Sequence, residues 1–115
     1  MENVIKINNE IADLIIKLCF SINDLKKSCQ SNDKGGLHFF STYNDIKTRM
    51  DNLLQVSSSK AMSAKITETK AFAKNSLKIY KIFPTEINGR DKTIQTLNRI
   101  VNQLTDLEKL ISNPL

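Results

Sequence analysis

The chain has 115 residues, 40% apolar, 25% charged and 6% aromatic, with three glycines and two prolines; 17 basic against 12 acidic side chains give a net charge of +5. Such a chain can bury one core without a disulfide, metal or cofactor as a staple, and it is too short for a typical two-domain enzyme, so one domain over residues 1–115 is expected. No run approaches the ~18 consecutive apolar residues of a membrane span, and Met1, Glu2 and Asn3 lack the basic-then-apolar order of a secretory signal, so the expected location is the cytoplasm.

Residues 2–30 place Val4, Ile7, Ile11, Leu14, Leu18, Ile22, Leu25 and Cys29 at steps of three and four, the spacing that lines one face of a helix. Ser21 with Asp24 could start a second helix, but the unbroken stripe predicts continuity. Cys19 and Cys29 then lie ~15 Å apart along one helix, too far to bridge. The Ser-Asn-Asp-Lys-Gly-Gly stretch at 31–36 reads as a loop. From 37 to 56 the stripe resumes on Phe39, Tyr43, Ile46, Met50 and Leu53, widened by Phe40 and Leu54. The apolar phase slips across Ser57, Ser58 and Ser59, which predicts a turn.

A third helix over 60–83 carries Met62, Ile66, Ala73, Leu77 and Tyr80 on one face, with Phe72, Ile79 and Phe83 beside them. Pro84 stops it, because proline lacks a backbone donor and disfavours the helical region for the residue before it. Asn88-Gly89 marks a short connection. A fourth helix over 91–111 rests on Ile94, Leu97, Val101, Leu104, Leu107 and Ile111. Four amphipathic segments with short connections predict an all-α antiparallel four-helix bundle. Its expected core is Ile11, Leu18, Ile22, Ile46, Met50, Leu53, Ile66, Leu77, Tyr80, Leu97, Val101 and Leu104. The layout resembles that of small helical secretion chaperones of the flagellar type, although its basic third helix departs from their usual acidic balance and no residue motif carries over.

Charge is uneven along the chain. Residues 60–83 hold six lysines against Glu68, and the remainder is balanced. Lys60, Lys70, Lys74, Lys78 and Lys81 fall within about 80° on a helical wheel. Clustered lysine attracts polyanions through Coulombic attraction and counterion release, which makes nucleic acid, an acidic partner surface or anionic lipid a candidate ligand and sequence-independent nucleic-acid or polyanion binding the alternative function. The stripe lacks arginine and interleaved aromatics, so a solvated face is the competing reading.

The first helix carries more apolar surface than one buried face needs. Ile5, Ala12, Ile16, Cys19 and Phe20 lie away from its main seam. Either this helix is central, touched by two or three neighbours, or Ile5, Ala12, Ile16 and Phe20 form a docking ridge for a protein partner or a second copy of the chain.

Catalysis has little support. Ser57, Ser58 and Ser59 have no local base, Glu10 with Asp13 and Asp106 with Glu108 read as solvated helix charges, and His38 reads as a residue of a helix start. Close Cys and His ligand pairs are absent from the sequence. The expectation is a non-enzymatic interaction module, an adaptor, small chaperone or inhibitor, with no metal, cofactor or small-molecule substrate.

Overall fold

The first helix passes through residue 21 unbroken. In the computed structural model, which describes residues 9–30, 36–56, 58–87 and 89–112, the chain forms α1 (Asn9–Gln30), α2 (Gly36–Leu54), α3 (Ser59–Ile82) and α4 (Arg90–Ser112), an all-α four-helix bundle. The expected positions Val4, Ile5 and Ile7, the loop at 31–35, Ser57, Asn88 and the side chains of His38 and Phe39 lie outside the described residues.

Local chemistry sets the helix ends. Ser58 is extended (φ −107°, ψ 147°), and its hydroxyl accepts from the Ala61 amide at 3.1 Å, satisfying one of the unpaired donors of α3's first turn. The phase slip at the serines is therefore a turn that caps the next helix. Phe83 breaks α3 by turning extended ahead of Pro84, its amide donating back to the Tyr80 carbonyl. Gly89 has φ 84°, a left-handed value that costs a side-chain-free residue little. Arg90 then reaches back from α4, its Nε donating to the Tyr80 carbonyl at 3.1 Å and a terminal nitrogen to that of Lys81 at 3.2 Å. The first residue of α4 thus closes the end of α3.

Cross-helix contacts define the topology. Lys26 sits 6.0 Å from the centre of the Tyr43 ring, Arg49 stacks 4.1 Å over Phe72, and Tyr80 donates to Thr42. Ser21 donates to Gln103 at 2.7 Å, and Ser28 shares a 3.0 Å hydrogen bond with Thr93. Partner numbers fall on one helix as they rise on the next, so successive helices are antiparallel. Each helix packs on the next, and α4 packs back on α1. The ring is closed, with α1 diagonal to α3 and an extent of 51 × 21 × 19 Å.

Its interior is the predicted apolar set with one substitution of seam. Eleven of the twelve expected core residues are buried; Val101 is only half-buried, and Ile100 takes the inward position. The cause lies one turn earlier, where the inner face of α4 begins with Thr93 and Thr96. Their hydroxyls are satisfied by Ser28 and by the Lys92 carbonyl at 2.8 Å, so polar residues occupy a face that apolar spacing alone draws too far round. Leu54 and Ile79, expected to widen their stripes, are instead exposed, because α2 and α3 each contact two neighbours only on their inner sides.

Candidate interaction surfaces

The extra ridge of α1 lies outside the core. Ile16 and Phe20 are each rotated by about 160° from Leu18, which points to the centre of the bundle. Ile16 is 53% exposed and Phe20 67%, Cys19 is exposed between them, and Ala12 is half-buried; Ile5 is outside the described residues. Helix α1 is touched by α2 and α4 on its inner side and by neither on this one. It is a corner of the ring, and the reading that makes it a central helix with a buried ridge is corrected. The two thiols accordingly differ: Cys29 is fully buried beside Tyr43, and that burial pushes its thiol up to about 11, against hydrogen bonds from Ser28 and the Tyr43 backbone. At neutral pH Cys29 is an inert apolar residue.

The lysine stripe divides when placed in space. Lys60, Lys74, Lys78 and Lys81 are exposed. Lys70 is not free: its Nζ lies 2.9 Å from Glu108 Oε1, and its side chain is only 17% exposed. Thr67 donates to the same carboxylate at 3.0 Å, and Lys70 first, then Thr67, hold Glu108 below the ordinary carboxylate range. Lys70 therefore ties α3 to α4. Lys60 stands on the first turn of α3, about 21 Å along the axis from Lys74. Lys74, Lys78 and Lys81 remain as the compact group.

Antiparallel packing gathers the charge at one end. Among the described residues, the half of the bundle built from 21–30, 36–48, 74–87 and 89–101 carries nine basic and four acidic side chains, and the other half six of each. The whole excess thus sits at the end holding the α1–α2 and α3–α4 connections. An open groove of about 380 Å³ lies there between α1 and α4, lined by Asp24, Lys27, Ser28, Lys92, Gln95, Thr96 and Arg99. Arg99 is engaged within it, 2.7 Å from Asp24 and donating to Ser21 at 3.0 Å.

Of the serines weighed for catalysis, Ser58 is a helix cap, and of the acid pairs, Glu108 is an inter-helix tie. No group of three His, Cys, Asp or Glu side chains that could hold a metal occurs among the described residues. No described helix is long and apolar enough to cross a membrane. Periodicity left Ile82 unassigned, and among the described residues it is the most exposed large apolar side chain at 83%. Its signal was its position, one residue beyond Lys81 and off the buried face. Comparison with protein families, characterised proteins and solved structures finds no match.

Proposed function

We propose that this protein is a non-enzymatic helical interaction module, an adaptor, small chaperone or inhibitor, that docks a protein partner or a second copy of itself through the outer face of α1. The supporting observation is that Ile16 and Phe20 stay exposed on a helix whose inner face already completes the ring. Aromatic residues set among smaller apolar ones are the usual anchors of an interface, and burying a Phe or Ile side chain contributes roughly 1.5–3 kcal/mol. The ridge from Ala12 to Phe20 spans only about 12 Å of axis, so a partner burying ~800 Å² must also cover flanking polar residues such as Asp13, Lys17 and Asn23. They supply the rim.

Solution mass over a range of concentrations tests this, with helical circular dichroism as the control for folding. If the occupant is a second copy, the wild type exceeds one chain in mass and Phe20→Glu is a folded monomer. If it is another protein, the wild type is monomeric and a photo-crosslinking phenylalanine analogue at position 20 captures one discrete partner, a capture lost in Ile16→Glu. A monomer that yields no discrete adduct overturns the reading.

A second reading, sequence-independent binding of nucleic acid or another polyanion through the lysines of α3, is favoured by the concentration of excess charge at one end. Its residues are Lys74, Lys78 and Lys81, with Lys60 remote and Lys70 engaged by Glu108.

A further inference from the structure

We propose that the C-terminal half of α3 is a docking surface for anionic lipid, in which Ile79 and Ile82 enter the headgroup layer while Lys74, Lys78 and Lys81 meet lipid phosphates and carboxylates. The proposal rests on the second reading above for its lysines and goes beyond it in naming what the isoleucines are for. Ile82 is 83% exposed and Ile79 45%. On the helix they stand about 60° apart, Lys78 lies about 40° beyond Ile82, and Lys74 and Lys81 follow within about 100° of it. Residues 74–82 cover about 12 Å of axis and about 160° of circumference, so the isoleucines and lysines share the outward side of these turns, apolar side chains toward one flank and basic ones toward the other. Arg90 holds the carbonyls of Tyr80 and Lys81, which fixes the last turn and keeps the patch in register.

Charge complementarity selects the partner. A nucleic acid would satisfy the lysines alone, leaving both isoleucines in water, and exposed aromatics on which bases could stack are missing from this part of α3 among the described residues. A negatively charged bilayer surface takes both components: the lysines are drawn by its surface potential, and apolar side chains at the headgroup boundary add affinity with the area they bury. The patch belongs to the end of the bundle that carries all the excess positive charge, so the attraction has a direction as well as a strength. The protein lies on such a surface without crossing it, consistent with the absence of a spanning helix among the described residues.

Co-sedimentation with vesicles of phosphatidylcholine alone, and with about a third phosphatidylserine added, tests the proposal at low and at near-physiological salt. Duplex DNA mobility at low salt is the parallel arm, and circular dichroism confirms the fold of each variant. The wild type is expected to bind the anionic vesicles and not the neutral ones. The Ile79→Ser/Ile82→Ser variant should lose roughly tenfold or more of its partition, with any DNA binding unchanged. The Lys78→Gln/Lys81→Gln variant should lose vesicle and DNA binding together. Should the double substitution prove unstable, Ile82→Ser alone, at the exposed last turn, carries the same test. Absence of binding to anionic vesicles overturns the proposal. So does vesicle binding that the isoleucine variant retains in full, which would leave a purely Coulombic polyanion site. DNA binding with no vesicle binding would overturn it while preserving the reading beneath it.

Discussion

Leu18 and Phe20 stand two residues apart on α1 and face opposite environments, one fully buried and the other two-thirds exposed. Their substitutions separate core from surface. Leu18→Ala and Leu97→Ala, both at fully buried sites, should each cost roughly 2–5 kcal/mol in denaturant unfolding, from lost transfer energy plus the cavity left behind. Phe20→Ala should stay within about 0.5 kcal/mol. Losses under ~0.5 kcal/mol at both leucines would mean that the seam is misdrawn. Two other buried groups set the alkaline limit. Burial raises Cys29 from 9.0 to about 11, and it raises Tyr80 from 10.0 to about 12 against the hydrogen bond to Thr42. Below pH 9 both groups keep their protons folded or unfolded, and their contribution to stability is complete. As pH climbs from 9 to 12 the unfolded chain releases these protons first, so stability falls, by roughly 2 kcal/mol or more at the upper end. Cys29→Ala should remove the decline between pH 9 and 10 and lessen it between 10 and 11, where Tyr80 also contributes. A denaturation midpoint flat across that window in the wild type would contradict the burial of both groups.

At the scale of the helices, apolar spacing located the inner faces of α1 and α3, although each also buries hydroxyls such as Ser28 and Thr69, and drew that of α4 too far round. The stripes of α1 and α3 were legible because Ile11, Leu18, Ile22 and Leu25, or Met62, Ile66, Ala73, Leu77 and Tyr80, are what the bundle buries. On α4 the inner face also holds Thr93, which pairs with Ser28 of α1, and Thr96, while Ser21 of α1 meets Gln103 further along, and Ile100 rather than Val101 points inward. A sequence pattern scores serine and threonine as surface; here their hydroxyls pair with each other, with a glutamine or with a carbonyl one turn back. The turn between α2 and α3 was legible as a slip of phase, but which serine caps the helix required its geometry. Ser58→Ala should cost about 1 kcal/mol by stripping the acceptor from the Ala61 amide, and Ser58→Asp should retain most of the stability. An unchanged midpoint in Ser58→Ala would remove the serine from that role.

Over the whole molecule the sequence displays charge by helix and the fold redistributes it by end. Residues 60–83 carry the net charge along the chain, yet pairing α3 with α4 takes Lys70 out of the stripe, and pairing all four helices brings Lys26, Lys27 and Lys92 to the same end as Lys74, Lys78 and Lys81. No reading of one helix at a time reaches that result, because it depends on which ends the antiparallel ring places together. The α1 ridge behaves alike: excess apolar surface was visible in the sequence, but whether neighbours cover it depends on α1 occupying a corner. The redistribution makes a quantitative difference to any binding of nucleic acid. If all five stripe lysines met phosphates of duplex DNA, log K would fall against log salt with a slope near −4.5, at about −0.9 for each contact. With only Lys74, Lys78 and Lys81 grouped, the slope should be about −2.7, and Lys78→Gln should bring it to about −1.8. Lys70→Gln should leave the slope alone and act on stability instead, by less than about 1 kcal/mol because the Glu108 pair is partly open to solvent. A titration of duplex DNA at several salt concentrations on these variants measures each term. A steeper slope that Lys70→Gln reduces would show Lys70 leaving Glu108 to bind phosphate, and a slope indifferent to Lys78→Gln would place the contact elsewhere on the basic end.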